Sequence, residues 1–539
     1  MIPDPYLAGI ESGWQCINAD TLADKTQLTA EVVVIGSGAG GASAAQALSE
    51  AGFDVLIVEA GGLKRSEDFQ LEERQAYPDL YQQSAAMTNR QQSVGIMQGR
   101  SVGGSTTVNW TTSIRTPTAT LDYWAEHHKV KGLSPQTLTP YFEAAEARLS
   151  IKPWPVPPNP NNRVLRDGCQ QLGWQTTVIS RNVKGCWNLG YCGLGCPVNA
   201  KQSMLLTSIP AALDNGARLL SQAEAWQLKA KDGVITSLSV RVMNSARRDS
   251  GKRLTLKAQH FVLAGGAINT PALLLRSELE DPHAILGKGT CLHPSLISAA
   301  IFDEPIKAHA GAPQSIYSDQ FLWPEDPQQL GFKLEAAPLH PVLLASKSFG
   351  FGQFHADLMK RFNQLQACIA LVRDGFGADT PSGQVRLDEF GQPHLDYPLN
   401  PNFWDAAKRA FLAMAELQFA GGAKQVLPIH DGMPMLNSWS EARRVIQSTE
   451  LQALHTQVAS AHVMGGCPMS EDPNLGWVNS LGESHYYNNL NVFDGSLFPT
   501  SLGANPQLSI YGVVGYQVEA LIQKLKGQLR VDIRQVQTS

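Results

Sequence analysis

Two segments that lie far apart in the 539-residue sequence contain the residues best suited to chemistry. The C-terminal segment places His462 shortly before two glycines, and Asn505 directly before Pro506. A neutral histidine can accept a hydroxyl proton, because its unperturbed pKa lies near physiological pH. An asparagine amide can hydrogen-bond an oxygen on which negative charge develops. In isolation, His462 could equally be a satisfied core histidine and Asn505 a turn residue, so the surrounding elements must decide.

The N-terminal segment has the pattern of a dinucleotide-binding β-α-β unit. Residues 32–35 are a short apolar run, which predicts a buried parallel strand. Gly36 then permits a tight turn, Gly38 lets the backbone approach a pyrophosphate, and Gly41 permits close packing of the following helix. Glu59 ends the second strand, where its carboxylate can accept hydrogen bonds from ribose hydroxyls. This pattern predicts a dinucleotide but does not separate NAD from FAD.

A second glycine-rich loop, residues 99–110, separates these two cofactors. It resembles the flavin-contacting loop of the glucose-methanol-choline (GMC) oxidoreductases. The first glycine motif, residues 263–274 and the block from His462 to Asn505 resemble the same family in order and spacing. The resemblance covers most of the chain and is loose only from about residue 300 to 450.

The resemblance implies that the cofactor is FAD. Gly103, Gly104 and Ser105 would lie along its pyrophosphate and ribitol, and Asn109 near the isoalloxazine. The loop lacks the histidine that some members use to bind flavin covalently, so we expect non-covalent FAD. The full set of predicted FAD-binding residues is Gly36, Gly38, Gly41, Glu59, Arg100, Gly103, Gly104, Ser105, Asn109, Ala225, Asp494, Gly495 and Asn505.

The same resemblance assigns catalytic roles to His462 and Asn505. His462 matches the histidine of the family's His-x-x-Gly motif, and Asn505 matches a second position at which other members carry histidine. The pair implies oxidation of an alcohol to a carbonyl compound by hydride transfer to flavin N5. His462 would take the hydroxyl proton as general base, and Asn505 would hold the oxygen. His293 and His455 are expected to have structural roles only.

Cys186, Cys192 and Cys196 form a cluster in a glycine-rich segment, whereas the other five cysteines are scattered. Three thiolates at this spacing, followed by Pro197, could ligate a 3Fe–4S cluster. A disulfide with one free thiol, or a buried loop in which cysteines pack as small hydrophobes, are the alternatives. In family terms, the spacing resembles the catalytic subunits of bacterial membrane-linked sugar dehydrogenases, which carry such a cluster. Residues 192–203 also resemble the long-chain fatty alcohol oxidases, for which no cluster is implied.

Composition limits the classes of partner and compartment. The net charge of -5 and the absence of a dense Lys/Arg stripe argue against a nucleic-acid partner. No apolar run reaches the roughly 20 residues of a membrane-spanning helix, so we expect no integral membrane segment. The first residues lack the basic and apolar regions of a secretory signal. By default this favours the cytoplasm.

The fold class predicted is α/β, with a discontinuous Rossmann-like FAD-binding domain and an α+β substrate domain that contains an antiparallel sheet. A chain of this length predicts two or three domains. The predicted boundaries are 1–28 for an N-terminal extension, 29–125, 203–295 and 455–539 for the FAD-binding domain, 126–202 for a lid or linker with the cysteine cluster, and 296–454 for the substrate domain.

Three functions are compatible with this reading. The leading one is an FAD-dependent dehydrogenase or oxidase of a small-molecule alcohol. A second keeps the fold but has non-oxidative chemistry, as in lyases or light-driven decarboxylases of this family. A third is a sugar dehydrogenase catalytic subunit that passes electrons through the 3Fe–4S cluster to a cytochrome. In that branch a small export-chaperone subunit carries the signal, which would place this chain in the periplasm or at a membrane surface.

Overall fold

The computed structural model describes residues 4–377 and 379–537, with residues 528–537 described as backbone. A large part of the chain is helical. In the described residues, helices α1 to α13 are Pro5–Glu11, Ala39–Glu50, Glu73–Leu80, Thr118–His127, Pro135–Arg148, Pro160–Leu172, Ser208–Asp214, Gly266–Arg276, Pro341–Lys347, Gly352–Lys360, Pro401–Ala420, Trp439–Ser448 and Gln507–Gln537.

The strands are shorter and more numerous, and most of them belong to two large sheets. In the described residues, strands β1 to β21 are Gln15–Asn18, Gln27–Ile35, Val55–Val58, Gly95–Ile96, Ile151–Pro153, Thr177–Val178, Ser180–Asn182, Arg218–Ser221, Ala223–Lys231, Val234–Met243, Asp249–Leu263, Lys288–Thr290, Ser295–Ile301, Ile316–Phe321, Phe332–Ala336, Leu365–Val372, Gly383–Leu387, Pro393–Asp396, Gln425–Pro428, Val458–Ser460 and Leu490–Val492.

The first sheet has the order β1-β8-β3-β2-β11-β10-β9, and β21 also pairs with β11. Strands β1, β8, β3, β2, β11 and β21 run parallel, whereas β10 and β9 form an antiparallel extension. β3 and the second half of β2 are continuous runs of buried Val, Ile and Leu, as expected for parallel strands covered on both faces. Because β2, β3, β11 and β21 are parallel, their carboxyl ends meet at one edge of the sheet.

The second sheet has the order β4-β20-β13-β16-β15-β14-β6, with β19 paired to β13. Its pairings are antiparallel except for β4 with β20. Side chains alternate across a strand, so the two faces have different surroundings. One face packs on α11, where Ser298 donates a hydrogen bond to Gln418 at 2.7 Å. The opposite face carries Ile297, Ile369 and Glu335, which line a cavity.

Two smaller features refine the sequence expectations. β1, in the segment assigned to an N-terminal extension, pairs with β8 and forms the edge of the first sheet. β17 and β18 form a hairpin, and β17 also pairs with β12, so that the three strands make a separate sheet. None of the helices in the described residues combines the length and the apolar character that a membrane crossing requires.

Candidate active site

A cavity of about 560 Å³ lies where the carboxyl ends of the parallel strands face the second sheet. This is the position at which open α/β sheets bind ligands. The topology brings most of the predicted site residues to its walls, although they come from distant parts of the chain. Those that line it are Gly36, Gly38, Glu59, Arg100, Gly104, Ser105, Asn109, Ala225, His462, Asp494, Gly495 and Asn505.

The two glycine-rich loops meet at one end of this cavity. A Cβ atom on Gly36 would lie 2.2 Å from the carbonyl oxygen of Ala264, and one on Gly41 would lie 2.0 Å from that of Gly36. Both glycines are therefore required by packing. Gly38 faces open space, and its closest neighbour, the Cα of Gly104, would be 4.0 Å from an added Cβ. The surface where the two loops meet is consequently backbone without side chains.

Helix α2 begins directly after Gly38, and in the described residues no side chain caps its first turn. Free N–H groups and the positive end of the helix dipole therefore face the bare surface. A pyrophosphate fits such a position, because it needs several donors and close approach to backbone. The residues present thus fit the diphosphate of FAD, and Gly38 and Gly104 would hold it from two sides.

Glu59 connects the two loops. Its Oε2 accepts hydrogen bonds from the N–H and the hydroxyl of Ser37, at 3.1 and 2.6 Å. The Ser37 hydroxyl oxygen in turn accepts the N–H of Gly103 at 3.0 Å. Glu59 Oε1 accepts the N–H of Gly61 at 2.8 Å. The carboxylate is therefore held by protein donors at the cavity wall, where contact with a ribose stays a prediction.

Asp494 makes a similar connection, between the end of β21 and the start of α8. It follows β21 and accepts hydrogen bonds from the Gly266 N–H at 2.8 Å and the Thr270 hydroxyl at 2.6 Å. Its second oxygen accepts the Ser496 N–H at 2.8 Å. Burial raises the pKa of Asp494, and these hydrogen bonds act in the opposite direction. The contacts fix the end of β21 against the first turn of α8.

The other predicted cofactor residues lie in the second loop and in β9. Gly103 has a φ of +90°, and Ser105 Oγ accepts the N–H of Gly99 at 3.0 Å. The N–H of Arg100 bonds to the carbonyl of Leu80. Ala225 lies in β9 opposite Val240. The loop is therefore folded back on itself beside the cavity.

Asn109 ends this loop and is fixed by a partner that sequence analysis missed. Its amide donates to Gln507 Oε1 at 2.8 Å. The Gln507 amide donates to the carbonyl of Thr112 at 2.7 Å, which determines which end of the side chain faces Asn109. Gln507 stands two residues after Asn505, at the start of α13. No local signal marked it, because Asn505 and Ser509 make the surrounding segment polar as well.

His462 and Asn505 meet at the cavity wall. His462 follows β20, Asn505 precedes α13, and the His462 Nε2 lies 3.5 Å from the Asn505 Nδ2. On the other side of the imidazole, the His462 Nδ1 lies 3.3 Å from the Nδ1 of His293. The structure thus brings together the two residues that the sequence predicted, and adds a second histidine behind them.

The environment of His462 keeps its imidazole neutral. Burial lowers its pKa to about 4, and the nearby positive charge of Lys333 acts in the same direction. The remaining exposure of the side chain is to the cavity that it lines. At neutral pH the ring therefore carries one proton, and the two nitrogens have opposite hydrogen-bonding roles.

Glu335 is the principal site residue that sequence analysis missed. It lies in β15, is fully buried, and lines the cavity beside Asn505, whose amide is 3.4 Å from its Oε2. Gln314 also donates to Oε2, at 2.5 Å. Burial raises the pKa of Glu335, and the charge of Lys333 acts against this. Charged residues at alternate positions of a buried strand, Lys333 and Glu335, were the signal, since such residues are seldom fully buried.

The three clustered cysteines do not fit the predicted 3Fe–4S cluster. In the described ranges, no three His, Cys, Asp or Glu side chains are arranged to hold a metal ion. Two cations also lie beside Cys192. The Arg181 guanidinium lies 3.7 Å from the Cys192 sulfur, and the buried Lys201 ammonium donates to the Cys192 carbonyl at 2.6 Å. The 3Fe–4S cluster is therefore not supported, and neither are the cytochrome and export subunit that depended on it.

The disulfide alternative is not formed in the structure either. Cys186, Cys192 and Cys196 are all free thiols, and all three are partly exposed. Lys201 also donates to the carbonyls of Thr107 and Asn109, at 2.6 and 3.0 Å. The segment thus supports the end of the second glycine loop from outside the cavity.

Comparison with known protein families agrees with this geometry. A model of an FAD binding domain matches residues 31–76, and two models of GMC oxidoreductases match residues 76–295 and 379–513. The fold and the site therefore define an FAD-dependent oxidoreductase. Because the two GMC matches together span more than half of the sequence, the chain belongs to the GMC oxidoreductase family.

Individual relatives cover nearly the whole chain. It is 29% identical over 507 residues to an uncharacterised GMC-type oxidoreductase of Sinorhizobium fredii. The alignment covers 93% of this chain and 96% of the relative. It is 27% identical over 544 residues to a long-chain-alcohol oxidase of Arabidopsis thaliana, at 94% and 71% coverage. A formate oxidase variant of Aspergillus oryzae has a TM-score of 0.67 and 16% identity, over 94% of this chain and 100% of that one. This likeness confirms the predicted fold class.

Proposed function

We propose that the enzyme oxidises the CH–OH group of an apolar small-molecule alcohol to a carbonyl group. One observation carries this proposal. The imidazole of His462 and the amide of Asn505 lie 3.5 Å apart on the wall of a cavity whose other end is formed by the two glycine loops. Two polar groups that converge on one point can bind a hydroxyl oxygen and stabilise it as its charge increases.

Most of the predicted cofactor residues line the same cavity as His462 and Asn505. Gly38, Gly104 and the start of α2 would hold the diphosphate of FAD, and Asn109 would lie near its ring system. Bound FAD would supply the two-electron acceptor that takes hydride from the alcohol carbon. The contribution of the chain is to orient the alcohol, to exclude water and to bind the hydroxyl proton.

The lining of the cavity on the second sheet favours an apolar substrate. Most of the residues there are aliphatic, and the charged side chains that could bind the several hydroxyls of a sugar are few, Glu335 and Lys347 among them. Burial of aliphatic substrate surface would contribute about 0.8 kcal/mol for each methylene group. Long-chain-alcohol oxidases among the relatives are consistent with this substrate class. The aliphatic residues are Ile297, Ala299, Ala337, Leu339, Leu343, Leu344, Ala367, Ile369, Leu371 and Ile429.

The test is anaerobic mixing of the FAD-loaded protein with a panel of alcohols, followed by the flavin absorbance. We expect bleaching by long-chain and cyclic apolar alcohols, and slower or no bleaching by sugars. Alkanes and carboxylic acids of matched length are the controls, because they occupy the cavity without a CH–OH group. If FAD is bound and no alcohol bleaches it, the proposal is wrong, and the non-oxidative alternative gains support.

A further inference from the structure

His293 is buried between the backbone of Gly503 and the ring of His462. Its Nε2 accepts the N–H of Gly503 at 3.0 Å, and its Nδ1 lies 3.3 Å from the Nδ1 of His462. The two rings cross at 78°, with their centroids 5.5 Å apart. A flip of the His293 ring would replace both nitrogens by carbon and lose both contacts, so the hydrogen-bond network fixes its orientation.

These contacts determine where each ring carries its proton. A backbone N–H can only donate, so the Nε2 of His293 is an acceptor without a proton. The proton of His293 is then on Nδ1, which donates to the Nδ1 of His462. His462 accepts at Nδ1, and its own proton is therefore on Nε2, the atom that faces the cavity and Asn505.

The amide of Asn505 presents a second donor to the same point. Its Nδ2 is 3.4 Å from Glu335 Oε2, and because a carboxylate only accepts, this contact identifies the nitrogen end of the amide. The Nε2–H of His462 and the Nδ2–H of Asn505 thus face each other at 3.5 Å. Two donors cannot bond to one another, but an oxygen atom placed between them can accept from both.

A proton acceptor lies directly beside these donors. Glu335 Oε2 accepts from Gln314 and Asn505. Its other oxygen, Oε1, is buried and has no hydrogen-bond partner among the described residues. An unpartnered carboxylate oxygen at the wall of a cavity needs a donor from the ligand, and the hydroxyl of an alcohol supplies one.

We propose that His293 is a positioning residue which fixes His462 as an Nε2–H donor, and that Glu335 accepts the hydroxyl proton. This inference rests on the proposed function and changes one part of it, since the sequence had suggested His462 as general base. The O–H bond breaks, its proton goes to the Glu335 carboxylate, and the oxygen keeps the electron pair that forms the carbonyl bond. The pair from the C–H bond would leave as hydride, for which bound FAD would supply the acceptor.

The charges around these groups agree with the assignment. Burial lowers the pKa of His293 well below 6.5, and His462, Lys333 and Arg373 act in the same direction, so both rings are neutral at pH 7. Burial raises the pKa of Glu335, and Asp319 adds to this, whereas Lys333 and the hydrogen bonds from Asn505 and Gln314 lower it. A carboxylate with a raised pKa is a better base than an ordinary one.

The direct test is the protonation pattern of His462 in protein labelled with 15N-histidine and loaded with FAD. Two-bond 1H–15N correlation spectra distinguish the two neutral tautomers, and His462→Gln identifies the resonances. We expect the proton on Nε2 at pH 7. In His293→Phe, the His462 Nδ1 resonance must move, because it loses its donor. A proton on Nδ1 in the unsubstituted protein, or an unmoved resonance in the variant, would overturn the proposal.

The second test is Glu335→Gln, which preserves the size and one acceptor of the side chain but cannot accept the proton. We expect flavin reduction by an alcohol to slow by about 10²-fold or more. The fall in rate at acid pH, which protonation of Glu335 causes, should disappear, while FAD binding and the His462 tautomer stay the same. The matched control is Glu483→Gln, because Glu483 pairs with Lys524 outside the cavity.

The outcomes separate this inference from the proposed function. If no alcohol reduces FAD in the unsubstituted protein, the proposed function is wrong, whatever the tautomer. If alcohols do reduce it but Glu335→Gln reacts at the original rate with an unchanged pH profile, only the assignment of Glu335 is wrong.

Discussion

His462 has its ring nitrogens in two different environments. Nδ1 faces the buried His293, whereas Nε2 faces the cavity beside Asn505. Whether His462 or Glu335 is the base, His462 would act on the substrate oxygen through Nε2. The surface proposed for the FAD diphosphate, in contrast, is backbone of the two glycine loops and lies on other elements.

His462→Gln should therefore separate catalysis from cofactor binding. A glutamine amide can reach part of the same space but cannot reproduce both contacts of the imidazole. We expect FAD to be retained, and flavin reduction by an alcohol to slow by about 10²- to 10³-fold, as for loss of an oxyanion donor. Stopped-flow absorbance with substrate in excess measures this rate.

The matched control is His455→Gln. His455 is half-exposed and pairs with Asp431 at 2.9 Å, away from the cavity wall. The same chemical change there should leave the reduction rate within about twofold. Equal losses in both variants would indicate a general effect of removing histidine and would refute the catalytic role of His462.

At the scale of elements, the decisive contact is between the start of α2 and the end of β21. An added Cβ on Gly40 would lie 1.7 Å from the carbonyl oxygen of Phe493, which is backbone and cannot rotate away. The helix that presents its N–H groups to the cavity is therefore positioned by the strand that leads to Asp494. Helix α2 and strand β21 must therefore move apart if a side chain is added at Gly40.

Gly40→Ala should disturb the cofactor site through packing alone. We expect a loss of about 1–3 kcal/mol in the free energy of unfolding, as for overpacked cores, together with weaker FAD retention on gel filtration. Gly62→Ala is the control, because no atom lies within 4 Å of its added Cβ and its φ is not in the left-handed region. Urea unfolding of both variants measures the difference, and equal midpoints would contradict the packing argument.

At the scale of the whole molecule, buried neutral histidines make stability depend on pH. His260 lies in β11, is almost fully buried, and its Nε2 is 2.8 Å from Asn491 Oδ1. Burial lowers its pKa from 6.5 to about 4. Between these values the unfolded chain binds a proton that the folded chain does not. Stability contributed by the neutral ring is therefore lost as pH falls from about 6.5 towards 4.

His260→Gln should remove this contribution, because glutamine can still donate to Asn491 but does not titrate. The loss of unfolding free energy between pH 7 and pH 4.5 should be about 2–3 kcal/mol smaller in the variant than in the unsubstituted protein. Urea midpoints at the two pH values give this double difference. An identical loss in both proteins would show that folding does not lower the pKa of His260.

Much of the first sheet was predictable from the sequence, because its signals are local. Residues 32–35 are a continuous apolar run followed by glycines at fixed spacing, and their roles follow from backbone geometry. The cavity wall on the second sheet was less predictable. Glu335 becomes a site residue only because β15 turns that side chain towards Asn505, which lies 170 residues further along the chain. Such pairings depend on how two sheets pack together.

His293 and the cysteine segment show the same limit. His293 was expected to have a structural role only, and nothing local indicated that its ring would meet that of His462. The cysteine spacing was compatible with metal ligation, but spacing does not reveal whether the folded chain arranges the three side chains to hold a metal, and in the described residues it does not. Long-range packing decided both cases.

The participation of β21 in the first sheet has a consequence for biosynthesis. Gly36 and Asp494, which lie at the same sheet edge, are more than 450 residues apart in sequence. A ribosome that adds about 5 to 20 residues each second needs about 20 to 90 s to travel between them. β11 is complete once residue 263 has been added, and for the rest of that interval it lacks its neighbour β21, which has not yet been translated. A chain that stops before Asp494 therefore lacks part of the surface proposed to bind FAD, however much FAD is present.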